Sequence, residues 1–435
     1  MSRVTLESSI DRSKETAAEA PRAPLGSTKF IPVRSDRIVA ALLADSRLGP
    51  EKLEEFRQLV SLYSNLYVLR LHADSQRLHQ LYRPFDPDTE VVLRDELERH
   101  PERLTAELQA LLARANYHRL EAGDLEIALA EASPQGLAVS VDLSDFAQLE
   151  LYHRGEKTVA LQRRNWRRLW LRHDRHDVTH YERLFVLIQF KTSDERYEEL
   201  VAEGIPAAKA RRQVARSRRA LPVSAEDGYV FVRHFKDIPR LDLEALFPNR
   251  RIRMRTFDKV KLGITGGGGT VSSVVATATK VAAAASVYAV GGAIVGLALV
   301  IARQVQKIIS QRTRYMAVLT RTLYFQNLEN NFGAIARLTD AALDEEVKEV
   351  LLAWYFVSAH PPGHYTSTTL DRVVEDFLQQ RFGIQVDYDV ADGVRKLCED
   401  GLLSIDTAGR LQSVTGAQAR QRLESCWSRY LETSA

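Results

Sequence analysis

The sequence has little cysteine and no marked excess of either charge. Its two cysteines, Cys398 and Cys426, have no metal-binding spacing and do not predict a disulfide. The formal net charge is only +3 at pH 7, so we expect no affinity of the whole chain for nucleic acid. The first residues contain no apolar core of the signal-peptide type, and we expect no cleaved targeting segment.

Large apolar side chains are scarce in residues 1–28. The segment is polar and contains Pro21, Pro24 and Gly26. Because so little apolar surface cannot offset the entropy lost on ordering, we predict a disordered tail. We expect order to begin near Phe30.

Charge is absent from residues 281–302, and this stretch dominates the interpretation. A helix of about twenty residues is about 30 Å long, the thickness of a bilayer's hydrocarbon core. The alternative is a buried helix of a soluble protein, which usually keeps a polar stripe. We therefore predict a membrane span. It includes Val281, Tyr288, Gly292, Gly296 and Ala302.

Basic residues flank the stretch on both sides, and Lys280 separates it from an uncharged segment before it. Because Lys and Arg gather on the cytoplasmic side of spans, a transmembrane hairpin over residues 261–303 keeps both basic clusters on one side. A single span over residues 281–302 is the alternative. This predicts a protein of the lipid bilayer, in a bacterial inner membrane, with its soluble domains in the cytoplasm.

Two regions precede the span. Apolar residues between positions 29 and 120 recur at helical spacing and predict a helical region. Apolar and polar residues then alternate between positions 121 and 260, which predicts an antiparallel β-rich region. Its insertion, residues 193–219, predicts a basic helix that is either solvated or in contact with anionic lipid heads.

Two further regions follow the span. Residues 304–340 predict a connecting helix, which we expect to run from Gln304 to Asn330. Residues 341–425 predict three helices and a hairpin, the outline of a winged helix.

Several segments resemble the transmembrane protein 143 family, a domain of unknown function found in bacteria and mitochondria. They are Leu81–Asp88, Phe235–Pro248, Tyr324–Asn331 and Leu351–Phe356. The resemblance implies a membrane protein with a glycine-rich apolar stretch between two soluble parts. It assigns no chemistry. The motif positions are Tyr82, Phe85, Asp86, Pro87, Phe235, Lys236, Asp237, Pro239, Glu244, Pro248, Tyr324, Asn327 and Asn330.

Metal-ligand residue types crowd residues 173–182. In a helix, His176 and His180 share a face and offer a metal pair. The segment leads into an alternating strand pattern, however, so we favour a solvated charged connection and no metal. The metal candidates are His173, His176 and His180.

Three other motifs are better explained as structural features than as catalytic or ligand-binding sites. Prolines around Asp86 and Asp88 predict a turn rather than a cation site. The run from Gly266 to Gly269 lacks the Lys-Ser/Thr of a phosphate-binding loop, and we expect no cofactor. The Phe235–Pro248 motif is interpreted as a connector that docks the sheet at the membrane, with a partner groove as the alternative.

The third helix of the winged-helix-like region, residues 389–400, has four acidic residues against Arg395 and Lys396. Because phosphate contacts need basic side chains, we favour protein interaction over DNA binding.

The sequence thus predicts an α+β membrane protein: N-terminal helices, an antiparallel sheet, a transmembrane hairpin and a winged-helix-like domain. We expect a non-enzymatic, membrane-anchored interaction or scaffold module with an unknown protein partner and a tendency to form homo-oligomers. A metal-dependent hydrolase using residues 173–182 and a membrane-tethered DNA-binding regulator are the alternatives.

Overall fold

The computed structural model describes residues 29–89, 99–121, 123–125, 137–164, 173–219, 221, 223–248, 251–254, 306, 310, 313 and 323–434. The predicted disordered tail and the predicted hairpin, residues 1–28 and 261–303, lie outside them. The described helices are α1 (Ser35–Leu43), α2 (Pro50–Tyr82), α3 (Pro101–Arg114), α4 (Ser193–Ala202), α5 (Ala207–Arg218), α6 (Asn331–Ser358), α7 (Ser367–Phe382), α8 (Val390–Glu399) and α9 (Gly416–Ser434).

The strands form one large sheet and two small ones. They are β1 (His118–Arg119), β2 (Leu137–Ser140), β3 (Phe146–Arg164), β4 (His173–Phe190), β5 (Val230–Pro239), β6 (Arg251–Met254), β7 (Asn327–Asn330), β8 (Leu403–Ile405) and β9 (Leu411–Ser413). The large sheet has five strands in the order β1-β3-β4-β5-β7, and all its neighbours are antiparallel. The small sheets pair β2 with β6 and β8 with β9.

The predicted α+β class with an antiparallel sheet is confirmed. The predicted membrane class, and with it the transmembrane helix, is not supported and is corrected: within the described ranges, no helix is both long and apolar enough to cross a bilayer. The physical reason lies in the long helices. Helix α2, with 33 residues, is interrupted by charged side chains such as Arg57 and Arg70, and α6, with 28, is interrupted by the charged run at residues 344–349.

Helix α2 follows from its sequence pattern. Pro50 occupies the first turn, where its missing N–H leaves no hydrogen bond unmade. The pattern predicts two helices over this region, but the structure has one, because buried side chains recur three or four positions apart to its end. They include Phe56, Leu59, Tyr63, Leu66, Tyr67, Leu71 and Leu78.

Alternation along the strands gives the large sheet two apolar faces. Tyr152, Phe185 and Val232 contribute to the main core, where α2, α3 and α6 pack. Their neighbours Leu151 and Leu184 point to the other face and join a second core. Since successive side chains of a strand face opposite ways, one sheet separates both cores.

Helix α6 connects the sheet to the C-terminal region. It packs against α2, α3 and β5, which precede it in the chain, and against α7 and α8, which follow it. Helices α6, α7 and α8 followed by the β8–β9 hairpin have the element order predicted for a winged helix. The expected division between residues 340 and 341 falls inside α6.

Candidate interaction surface

The metal-ligand residue types of residues 173–182 lie on β4, not on a helix. His176 pairs across the ladder with Leu161, and His180 pairs with Lys157. The helical geometry on which a metal pair depends is therefore not formed. Among the described residues, no three His, Cys, Asp or Glu side chains come together as a metal site. The span positions Val281, Tyr288, Gly292, Gly296 and Ala302 lie outside the described residues.

The first family-motif segment contacts β5. Tyr82 is fully buried at the end of α2 and donates its hydroxyl hydrogen to the Val230 carbonyl at 2.8 Å. The side chain of Asn331 donates to the Asp88 carboxylate at 2.7 Å and accepts from the Val232 amide at 3.2 Å. One asparagine at the start of α6 thus connects the turn after α2 to the sheet.

The turn itself is closed by Asp86. This carboxylate is buried, and it accepts a hydrogen bond from the Asp88 amide at 3.0 Å. Phe85 lies in a short 3₁₀ helix just before it and is buried in the main core. Pro87 lies within the same turn.

The second motif segment is β5 and the 3₁₀ helix that follows it. Phe235 is buried, Asp237 has a positive φ of 53°, and the Asp237 carboxylate forms an ion pair with Lys157. Gln326 donates to the Asp237 carbonyl at 2.8 Å and so fastens the turn that enters β7. The remaining positions are Lys236 and Pro239 on β5, the buried Glu244 and the exposed Pro248.

The third segment forms the outer edge of the large sheet. Strand β7 pairs with β5 and is the last strand in the order. It replaces the end of the helix predicted from Gln304 to Asn330. Three of the four motif segments, separate in sequence, therefore meet around β5 and β7, whereas Leu351–Phe356 lies in α6.

Exposed aromatic side chains lie at both ends of β7. Tyr324 and Phe325, just before the strand, are 76% and 63% exposed, and their ring centroids are 5.2 Å apart. Phe332, just after it, is 49% exposed and lies against the His79 ring. Within the part of the chain that the structure describes, no strand pairs with the outer edge of β7. Such an edge beside exposed aromatic rings is typical of an interaction surface. We call residues 324–332 the edge surface.

A second feature, which the sequence pattern did not reveal as a site, is a line of buried charges on α6. Glu345, Glu346, Lys348 and Glu349 are each at most 3% exposed. The Lys348 ammonium donates to the carbonyls of Ile31 and Val33 at 2.8 and 3.1 Å and to Glu345 at 2.7 Å. The only local signal is the run of charges at positions 344–349 inside an apolar helix.

These charges hold neighbouring helices together. Arg114 of α3 donates to Glu346 at 2.7 Å, and Lys396 of α8 approaches the same carboxylate at 2.5 Å. Glu349 accepts from Lys396 at 2.9 Å and from Asn116 at 3.0 Å. Burial raises the pKa of Glu349 to about 7, although the Lys396 charge acts in the opposite direction. The groups are used in ion pairs of the fold, so their role is structural.

The same contacts bear on DNA binding by α8. Lys396 is buried against α6, and Arg395, on the exposed side, pairs with Asp392 and with Glu399 at 2.6 Å. Neither cation of α8 is therefore unpaired for a phosphate contact.

Comparison with known families shows that the edge surface lies inside a stretch that matches a family of unknown function. Residues 181–333, about a third of the chain, match the model of a family described as "Protein of unknown function (DUF3754)". The match runs from β4 to the start of α6. The chain therefore contains a domain of unknown function, whereas the resemblance to the transmembrane protein 143 family is not confirmed. No solved structure matches the chain.

Proposed function

We propose that the protein is a non-enzymatic interaction module that assembles with a second copy of itself through the edge surface. The observation that carries the proposal is that exposed aromatic rings lie on both sides of the edge strand β7. The convergence of the motif segments at this edge supports it. The buried ionisable groups of α6 support the non-enzymatic part, because they are neutralised in ion pairs of the fold.

The strand is suited to pairing with its own copy. In an antiparallel pair, residues directly opposite each other lie on the same face of the sheet, and successive residues of a strand alternate between faces. When a two-fold axis relates the two strands, one residue must therefore lie opposite its own copy, and the register is centred on that residue. A register centred on Leu328 places Leu328 opposite itself and Asn327 opposite Glu329 of the second copy. It also brings Tyr324 towards Phe332 of the second copy. A register centred on Glu329 is disfavoured, because it opposes two carboxylates.

The side chains in this register are complementary. The side-chain amide nitrogen of Asn327 offers a donor to the Glu329 carboxylate opposite. The aromatic rings bury apolar area at both ends of the paired strands, where each aromatic pair contributes about 0.5–1.5 kcal/mol beyond area burial.

The test is the mass of the full chain in solution across a concentration series, measured by sedimentation. We expect a concentration-dependent dimer. Tyr324→Glu and Phe332→Lys each place a charge in the interface and weaken the dimer at least tenfold. The double variant pairs the two new charges across the interface and recovers part of the affinity at low salt.

Val201→Lys is the matched control, since Val201 is 42% exposed on α4, away from the edge. It should dimerise like the unaltered chain. A monomer at every concentration, or equal dimerisation by the control and both single variants, would overturn the proposal.

A further inference from the structure

Basic residues form a row across the helical face of the large sheet. Arg154 on β3 pairs with Arg183 on β4, and Arg183 pairs with Lys236 on β5. Adjacent strands are about 4.8 Å apart, so the row is roughly 10 Å long. Like charges placed directly opposite each other destabilise a sheet. An arrangement of three cations side by side therefore calls for a counter-charge.

The neighbouring cross-strand pair on the same face of the sheet contains a buried histidine. His234 lies opposite Phe185 and is 1% exposed. Its Nε2 is 2.8 Å from the Tyr117 hydroxyl, whereas its Nδ1 has no hydrogen-bond partner in the described part of the chain. Burial, and then the charges of Arg154, Arg337 and Arg183, lower the pKa of His234 to about 3. A fourth cation, Arg337, lies on α6, the helix that packs against β5, and its charge acts on His234.

Few acidic groups compensate this charge. Arg154 is buried, donates to the Ala115 carbonyl at 3.2 Å and lies over the rings of Phe30 and Tyr117. It also lies 3.6 Å from the Glu345 carboxylate, which pairs with Lys348. Arg183 donates to the main-chain carbonyl of Glu182. Lys236 and Arg337 have no ion pair with any other described residue. Arg183 and Lys236 are half-buried and Arg337 is exposed, so the row is open to solvent at one end.

We propose that Arg183, Lys236 and Arg337, beside the charge of the buried Arg154, form a binding site for a small phosphoryl anion. Guanidinium groups bind phosphate oxygens through paired, charge-assisted hydrogen bonds, which are about twice as strong as neutral ones. The length of the row suits an anion with two linked phosphoryl groups better than a single phosphate. The site is independent of the edge surface and does not depend on the proposed assembly.

The probes are inorganic phosphate and pyrophosphate, added to the full chain at constant ionic strength with chloride as reference. We expect both to raise the melting temperature more than chloride does, with pyrophosphate the tighter ligand by calorimetry. Arg183→Gln combined with Lys236→Gln should weaken pyrophosphate binding about a hundredfold, or about tenfold for each charge-assisted contact.

The double variant also distinguishes binding from a structural role. If the row is an anion site, the variant without phosphate should melt at or above the temperature of the unaltered chain, because repulsion between cations is relieved. The matched control combines Lys209→Gln with Arg420→Gln, two exposed cations on α5 and α9. It should keep the full response.

Three outcomes would overturn the site. The first is an equal response to phosphate, pyrophosphate and chloride, which indicates screening only. The second is an equal pyrophosphate affinity of the double variant and the control. The third is a double variant that melts lower without phosphate and keeps its phosphate response.

Discussion

Tyr63 donates its phenolic hydrogen to the Asp400 carboxylate at 2.6 Å, a contact between α2 and the residue that ends α8. Arg70, two turns along α2, donates to the other oxygen of Asp400 at 2.7 Å. Asp400 is 7% exposed and Tyr63 is fully buried. The C-terminal region is thus fixed to the N-terminal helices by a hydrogen-bonded carboxylate in the interior.

Tyr63→Phe should lower the free energy of unfolding by about 1–3 kcal/mol, because it removes a buried donor to a charged group and leaves an oxygen of Asp400 with one partner fewer. Urea unfolding measures the change. Tyr197→Phe on α4 is the control, since its hydroxyl has no such bond to a described residue, and it should stay within about 0.5 kcal/mol of the unaltered chain. Equal losses in both variants would contradict the assignment.

Lys348→Met should destabilise the chain by about 3–5 kcal/mol, the usual loss when one partner of a buried ion pair is removed. The variant leaves Glu345 without its closest cation and the Ile31 and Val33 carbonyls without a donor. Urea unfolding is again the measurement, with the exposed Lys209→Met as control. A loss no greater than that of the control would show that Lys348 does not hold the segment before α1.

Glu349 should make stability fall as pH rises. Its pKa is raised to about 7 in the folded chain, above its ordinary value of 4.5, so the folded state binds the proton more tightly than the unfolded state does. This contribution is favourable below about pH 4.5 and is lost between about 4.5 and 7. Glu349→Gln removes it, so the stability of the variant relative to the unaltered chain should increase from pH 5 to pH 8. A difference that does not change with pH would contradict the raised pKa.

His234 should make the stability of the fold decrease as pH falls, the opposite of the effect of Glu349. Its pKa is lowered to about 3 in the folded chain, below its ordinary value of 6.5. Between these values the unfolded chain binds a proton that the folded chain does not bind. The stability it contributes is complete above about pH 6.5 and is lost as pH falls towards 3. His234→Gln should flatten this part of the stability profile, measured by urea unfolding at pH 4.5, 5.5 and 7. His72→Gln, at an exposed position of α2, is the control for the loss of a histidine. A profile as steep as that of the unaltered chain would refute the assignment.

Gly393→Ala should destabilise the chain, although the same change inside an exposed helix stabilises by roughly 0.5–1 kcal/mol. A Cβ at position 393 lies 3.0 Å from the Glu349 carbonyl oxygen and 3.0 Å from the Tyr388 hydroxyl. We expect a loss of about 1–3 kcal/mol by thermal or urea unfolding. Gly333→Ala is the contrast, because there the nearest atom is the movable end of the Glu329 side chain. A gain in stability from Gly393→Ala would show that α8 has room to move away from α6.

The periodic parts of the fold could be predicted from the sequence. Helical spacing predicted α2, and alternation predicted the strands that became β3, β4 and β5, because both patterns record which side chains are buried. Strand β7 could not be predicted in this way. Its four residues have a pattern that also fits the end of a helix, and pairing with β5 decides their conformation.

The buried charges of α6 were missed for a related reason. Lys348 is buried because Ile31 and Val33 supply carbonyls from more than 300 positions away. No local pattern shows such partners. The membrane class rested on one uncharged stretch, and it is not supported, because no helix of the described residues is long and apolar enough to cross a bilayer.

The position of α6 late in the chain has a consequence for synthesis. The apolar face of α2 is covered mainly by α6 and α9, whose residues leave the ribosome some 250 to 350 positions after α2. At a synthesis rate of about 5–20 residues per second, the apolar face of α2 stays uncovered for tens of seconds. During that time the nascent chain exposes apolar surface that the finished fold buries, which favours aggregation of incomplete chains.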